Sequence, residues 1–517
     1  MTRRPSTGRA TLIVMFGIGV SRVFGLVREQ VVAFYFGRAA VYSAFVAAYK
    51  IPNLVRVLLG EGNLSASLIP VLTERMRGDD PAPARELAQR VLGLLLLIVL
   101  VLTLAGMAAA PALAWIVAPG FDPALRALVA RLIVVLFPTS AFMIVGAWCM
   151  GVLHAHGRFF WPNFAPLFWS VVSASALVAF VGRIELDPVY VLAWGVVGGS
   201  AAQLLVQLPA TRAALGTLRP RGGWREPGVQ RVVALFLPML LGSGVAQLAS
   251  VIDIEIASFL GTASVATLAY AQRLYLLPLS LFGVAIAQVA LPALAHEGAE
   301  RPAAIRAALS TAWRRMAFLT LPALLVLVAF GYPAVSVLFE HGRFEAADSA
   351  AVARVTAAYA VGLLAYGSVR LFAATFHAVQ DTRTPVRIAI GALALNVALG
   401  VALAFVLGTP GIALAAALAA TVNAVLLGRR LRGRLGGWLD PAVRRDLARM
   451  ALALAVAGAS GAWPYLWMMS RWSGWEFLPR FGATAALYGG IGVIYLGTAR
   501  ALGVADARTL SLRHKEL

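Results

Sequence analysis

Seven cations stand where the surrounding sequence is almost wholly apolar: Arg22, Arg28, Lys50, Arg56, Arg273, Arg354 and Arg370. A charge at the middle of a lipid-solvated helix costs roughly 2.5 to 3.5 kcal/mol, so each needs a partner, a water-filled cavity or a ligand. Arg354 and Arg370 lie toward the ends of their apolar runs, where a long side chain can reach an interface. The other five concentrate in three segments. Ser21 and Arg28 are seven residues apart, as are Arg22 and Glu29, so each pair shares a helix face and the two faces adjoin. Lys50, Asn53 and Arg56 recur at three-residue spacing around Pro52, whose ring frees a backbone carbonyl that only a cavity or a neighbouring helix can satisfy. A guanidinium donates two parallel hydrogen bonds to adjacent oxygens, so several together suit a diphosphate. The nearby carboxylates, Glu29, Glu61, Asp253 and Glu255, are too few to neutralise five cations. The competing arrangement is a set of buried ion pairs that only pin helices, Arg22 with Glu29 and Arg273 with Asp253 or Glu255.

Other chemistry finds little support. The chain has no phosphate-cradling glycine loop followed by Lys and Ser/Thr, and no paired-histidine metal motif on a helix. Its six histidines are dispersed, and its single cysteine, Cys149, can form neither an internal disulfide nor a thiolate cluster. The expectation is a transporter without a chemical step and without a cofactor, driven by the membrane potential or an ion gradient.

The elements that carry these cations must be spanning helices. Of 517 residues, 60% are hydrophobic and only 13% charged, and the mean hydropathy is +0.82. A spanning helix needs about 20 mostly apolar residues. About fourteen runs meet that length, near 10–36, 40–60, 88–117, 125–152, 161–182, 188–210, 230–260, 264–293, 312–340, 348–379, 385–407, 410–428, 446–469 and 481–502. The expected fold is therefore an all-α polytopic membrane protein. The basic start, Met1 to Ala10, leads into a helix with no small-residue cleavage site, which reads as a retained first span. The net charge of +21 does not call for nucleic acid. Of 44 Lys and Arg, 30 fall in the tails and loops on one side of the predicted spans, 7 on the other and 7 within helices. That bias places both termini in the cytoplasm.

A weak internal repeat sets the domain organisation. Ala33 to Pro52 echoes Ala257 to Pro278, with Gly37 over Gly261 and Ala47 over Ala271, and Pro70 to Leu72 echoes Pro292 to Leu294. The offset spans six helices, an even number, so the copies run parallel and imply lobes related by an axis along the membrane normal. The expected division is an N-lobe at 1–215, a C-lobe at 228–430 and two further helices at 441–505.

Several stretches in this order resemble the MurJ (MviN) lipid II flippases of the multidrug/oligosaccharidyl-lipid/polysaccharide exporter superfamily. They are SRVFGLVRE (Ser21 to Glu29), KIPNLVRVLLGEG (Lys50 to Gly62), HGRFFWPNFAP (His156 to Pro166), AYAQRLYLLP (Ala269 to Pro278), EHGRF (Glu340 to Phe344) and QDTRTPVRIA (Gln380 to Ala389). The resemblance implies a bacterial inner-membrane protein that flips lipid II, a polyprenyl diphosphate disaccharide-peptide, from the cytoplasmic to the periplasmic leaflet by alternating access. It implies that Arg22, Arg28, Arg56 and Arg273 match the family's cavity arginines, that the last two helices form a groove for the polyprenyl tail, and that cell-wall synthesis proteins are potential partners. Ser21, Glu29, Lys50 and Asn53 join the arginines as candidate substrate-binding residues by their spacing. The chain departs from the family at Ser43, where many relatives have aspartate, at Glu29, also usually aspartate, and at Gln272, usually an acid. Asp253 and Asn396 fit a sodium site that some relatives carry, while Gly400 offers no carboxylate. The alternatives are a different lipid-linked oligosaccharide, a cationic drug, which a cationic cavity disfavours, or a non-transporting scaffold, in which the arginines would be lost.

Overall fold

Proline and acidic caps punctuate the chain into helices, because proline tolerates the first helical turn and a carboxylate satisfies its orphan N–H groups. In the computed structural model, which describes residues 7–60, 62–78, 80–284, 286, 302–379, 381 and 383–507, Asp122 accepts a hydrogen bond from the Leu125 amide at 2.9 Å ahead of Pro123. Glu226 does the same for Val229 at 2.9 Å ahead of Pro227. Glu61, the second repeat copy at Pro292 to Leu294, and Gln380 and Thr382 of QDTRTPVRIA lie outside the described residues.

The helices are α1 (Thr7–Phe36), α2 (Ala40–Leu59), α3 (Asn63–Arg75), α4 (Ala82–Ala108), α5 (Ala110–Val117), α6 (Pro123–Ala155), α7 (Phe160–Phe180), α8 (Pro188–Leu205), α9 (Leu208–Leu215) and α10 (Pro227–Ser258). They continue as α11 (Ser264–Pro278), followed by a π turn at Leu279–Val284, then α12 (Pro302–Ala329), α13 (Gly331–Phe339), α14 (Ala346–Ala360) and α15 (Leu363–Ala378). The last are α16 (Arg383–Leu407), α17 (Thr409–Leu435), α18 (Pro441–Met469) and α19 (Phe477–Ala501). The described residues are all-helical apart from their connections; nine of the fourteen apolar runs fall on a single helix each, 88–117, 188–210, 312–340 and 348–379 are each divided over two, and 264–293 covers α11 and the π turn and extends outside the described residues. Ten helices are long and apolar enough to cross a membrane, or eleven if the bent pair α14 and α15 forms one span. Their outward faces are apolar: α4 exposes Leu97, Leu100, Val101 and Leu104, each more than half accessible, as lipid requires.

The described chain forms two compact units, Met1–Ala266 with His341–Phe344, and Thr267–Glu340 with Glu345–Leu517. The first reaches past the end of the 1–215 repeat because α10 packs on α2, α3, α4 and α5. Its centre is α6, which packs on α2, α3, α4, α5 and α8 and buries Trp148, whose Nε1 donates to the Ala88 carbonyl at 3.2 Å. Close approach is paid for in side-chain size: a Cβ at Gly106 would sit 2.0 Å from the Phe137 ring. In the second unit α12 packs on α14, α15, α18 and α19. Arg314 on α12 ties the C-terminal pair down, with Nε 2.8 Å from Asp506 and Nη1 3.5 Å from Asp446.

The two aligned glycines share a positive φ, in different regions of it. Gly37 turns the chain between α1 and α2 at φ +53°, and Gly261 turns it between α10 and α11 at φ +117°. These are conformations that an L side chain rarely adopts, which accounts for glycine at both places.

Candidate polar site and family

α1 packs against α7, and the face it presents there carries the paired positions Ser21 and Arg28. Ser21 Oγ donates to the Asn163 carbonyl at 3.3 Å. Seven residues on, Arg28 and its neighbour Glu29 are 6% and 4% exposed and form an ion pair. The Arg28 guanidinium carbon lies 3.9 Å from the centre of the Trp169 ring. A carboxylate and an indole face together compensate the buried cation. The carboxylate that the seven-residue spacing offered to Arg22 thus pairs with Arg28, while Arg22 is exposed.

On α2 the three-residue spacing is used within the helix. Arg56 Nε and Nη2 both donate to Asn53 Oδ1, at 3.0 and 2.8 Å, which holds the guanidinium half-buried beside its own helix. Lys50 Nζ donates to Ser250 Oγ on α10. Asp253, 7% exposed, lies nearly one turn beyond Ser250 on the same helix, so the α2–α10 contact gathers polar groups that a lipid-facing surface could not tolerate.

Ser43 has a different role. Fully buried on α2, its Oγ accepts the Ala266 amide at 3.1 Å, satisfying an orphan N–H in the first turn of α11. An aspartate, the residue of many relatives, would perform the same cap with a charge that the helix dipole favours.

In the second unit Arg273 is exposed on α11, and its neighbour Gln272 donates to the Tyr359 hydroxyl at 3.2 Å. Tyr275 stacks on Tyr359 and Tyr366, with ring centres 4.6 and 5.6 Å apart. Asn396 is buried on α16, and Arg370 is exposed near the middle of α15. Among the described residues no group of three or more His, Cys, Asp or Glu could hold a metal ion.

Three partners escaped the sequence reading: Trp169, Ser250 and Ser43 as a cap. Indole and hydroxyl groups carry no charge to mark them in an apolar run, and their partners lie 141, 200 and 223 residues away in sequence.

The chain matches the family described as lipid II flippase MurJ over residues 32–481. A probable lipid II flippase MurJ of Vibrio cholerae is 34% identical over 496 residues, covering 94% of each chain. A lipid II flippase MurJ of Burkholderia cenocepacia is 34% identical over 457 residues, covering 86% of this chain and 88% of its own. Among solved structures, an inward closed lipid II flippase MurJ superposes with a TM-score of 0.74 at 21% identity, covering 94% of this chain and 98% of its own. An inward-facing MATE family multidrug transporter reaches 0.57 at 18% identity, covering 83% and 94%. At those identities the two structures speak for the fold alone. Sequence similarity across almost the whole chain decides the family: this is a multi-pass membrane protein that belongs to the lipid II flippase MurJ family.

Proposed function

We propose that this chain moves lipid II from the cytoplasmic to the periplasmic leaflet of a bacterial inner membrane, crossing it fourteen times with both termini in the cytoplasm. The observation that carries this reading is the match to lipid II flippases over residues 32–481, with 34% identity to relatives along nearly the full length. The cations support it. A diphosphate carries the negative charge that Arg28, Arg56 and Arg273 are suited to bind, and three cations in spanning helices would be costly without anionic ligand or water.

Flipping breaks no bond, so the chain's task is to bind the headgroup differently in two states. A ligand shifts an equilibrium between states only by its differential affinity for them. In the first unit both arginines are held by uncharged or exchangeable partners, Arg56 by Asn53 and Arg28 by Glu29 and Trp169. A diphosphate that displaced the Glu29 carboxylate or the Asn53 amide would exchange those bonds for bidentate ones, so the arginines close on the headgroup while the polyprenyl chain stays in lipid. The membrane potential or an ion gradient would supply direction.

The test is replacement of an essential lipid II flippase by this chain in cells, following lipid II access to the outer leaflet. Restored access is expected, with loss in Arg28→Ala, Arg56→Ala and Arg273→Ala at normal expression. Near-normal access in all three variants would overturn the role of the cations. No access with the parent chain, inserted at normal levels, would overturn lipid II as the substrate.

A further inference from the structure

The enclosure of Arg28 begins in the sequence of α8. Gly195 and Gly199 stand about one turn apart there, the small-residue spacing that lets two spanning helices approach closely. The neighbour that uses it is α7. A Cβ at Gly195 would lie 2.9 Å from the Ala176 Cβ, and one at Gly199 would lie 2.7 Å from the Trp169 carbonyl oxygen and 3.1 Å from its Cδ1. Ser173 Oγ closes the same seam, 2.6 Å from the Trp169 carbonyl and 3.2 Å from that of Gly195. The five-membered edge of the Trp169 indole is thereby held against a bare stretch of α8, while a face of the ring meets α1.

On that face lies the Arg28 guanidinium, its carbon 3.9 Å from the ring centre, the separation of van der Waals contact. Glu29 accepts from Nη2. The Arg28 Nε–H is buried and has no acceptor among the described residues. A donor on a charged group is costly to leave unpaired away from water, and neither the ring nor Glu29 relieves it. Arg56 differs, since its Nε already donates to Asn53 at 3.0 Å. Contact with the ring limits the tilt of the Arg28 guanidinium and the carboxylate limits its rotation. What remains is one buried N–H with a defined direction and no acceptor.

We infer that Trp169 is a positioning residue for headgroup binding: its ring holds the Arg28 guanidinium so that the Nε–H meets an oxygen of the diphosphate. The inference rests on the lipid II reading above and adds a residue to it. The contribution of Trp169 is its face. Its own Nε1–H also lacks an acceptor, but it adjoins Cδ1 on the edge turned to α8, away from the stacked cation. An indole face attracts a guanidinium more strongly than a phenyl does, and the attraction grows when water is excluded. An arginine left to find its orientation would be ordered only as the ligand arrives, whereas the stack orders it beforehand. When the diphosphate takes the place of Glu29, the stack stays and keeps the direction of the Nε–H.

The experiment is a double-mutant cycle on the full chain in neutral detergent, with lipid II binding titrated by native mass spectrometry. Trp169→Leu, which keeps bulk and loses the ring, should weaken binding about tenfold, and Trp169→Phe, which keeps a weaker face, about threefold. Each is repeated with Arg28→Gln, whose amide can still donate to Glu29. In that background neither Trp169 variant should weaken binding further, because a positioning residue acts only through the group it positions. Thermal unfolding of each variant shows that it is folded, and Trp169→Phe carries the test if Trp169→Leu is not. Parent-like binding by the Trp169 variants would overturn the inference. So would equal losses with Phe and Leu, which would make Trp169 a packing residue, or a loss that persists with Arg28→Gln, which would make it act without Arg28. A folded parent chain that retains no lipid II would overturn the substrate reading itself.

Discussion

Arg28 joins a structural contact and a proposed transport role in one residue. Its guanidinium is buried between Glu29 and Trp169. Arg28→Ala takes from the buried Glu29 its ion-pair partner, and removing one member of a buried pair costs about 3 to 5 kcal/mol. Replacing both with apolar residues of similar volume, Arg28→Met with Glu29→Leu, should recover most of that stability, since such exchanges are often neutral. Thermal unfolding in detergent would read the first effect and lipid II access the second. If Arg28 only holds α1 to α7 through Trp169, the double variant transports normally; if Arg28 binds the diphosphate, it is stable and inactive. Arg56→Lys tests the geometry separately. It should keep the charge and lose most transport, because an ammonium cannot donate two parallel bonds.

At the scale of elements, two contacts fix how helices begin. Ser43→Ala should cost about 1 kcal/mol by removing the cap on the first turn of α11, and Ser43→Asp should restore it. A drop in unfolding midpoint with Ala and recovery with Asp would show the cap; equal midpoints would refute it. The second contact joins α3 to the start of α10, where Arg75 pairs with Glu226 and Arg231 Nη1 with Glu74 at 2.8 Å. Burial raises the Glu226 pKa, but the Arg75 guanidinium and the amides of Gly228 and Val229 outweigh it and hold the carboxyl below the usual range. Its folded value being depressed, this contribution is present above the ordinary carboxylate pKa and is lost as pH falls through the lower folded value. Spin labels at Thr73 and Gln230 in a Cys149→Ser background should give one narrow distance at neutral pH that broadens only below the usual carboxylate range. Broadening at neutral pH would show that the clasp does not hold.

For the whole molecule, the charge bias predicts that the segment 429–449 faces the cytoplasm. Gly436 is a poor place for a reporter, since it ends α17 in a left-handed conformation at φ +73°. Gly433, one turn earlier and in open space, accepts a side chain. In a Cys149-free chain, Gly433→Cys should resist a membrane-impermeant thiol reagent in intact cells and react after permeabilisation. Labelling in intact cells would invert the topology.

Spanning helices, their order and the family were legible in the sequence, because lipid forces every backbone bond to close within a helix and makes an apolar run of sufficient length nearly synonymous with one. The cations were legible for the same reason, as charges that such runs cannot tolerate without cause. Which partner each cation takes was not. Helical spacing offered Glu29 to Arg22, yet the carboxylate pairs with Arg28, whose guanidinium also covers Trp169 on α7. Spacing within one helix says which side chains share a face, but not which neighbouring helix that face meets. Lys50 beside Ser250, Ser43 under Ala266, and Arg28 on Trp169 join residues more than a hundred positions apart. Only packing of the helices decides such pairs, since desolvation and hydrogen-bond geometry act on distances in space and leave no periodic trace along the chain.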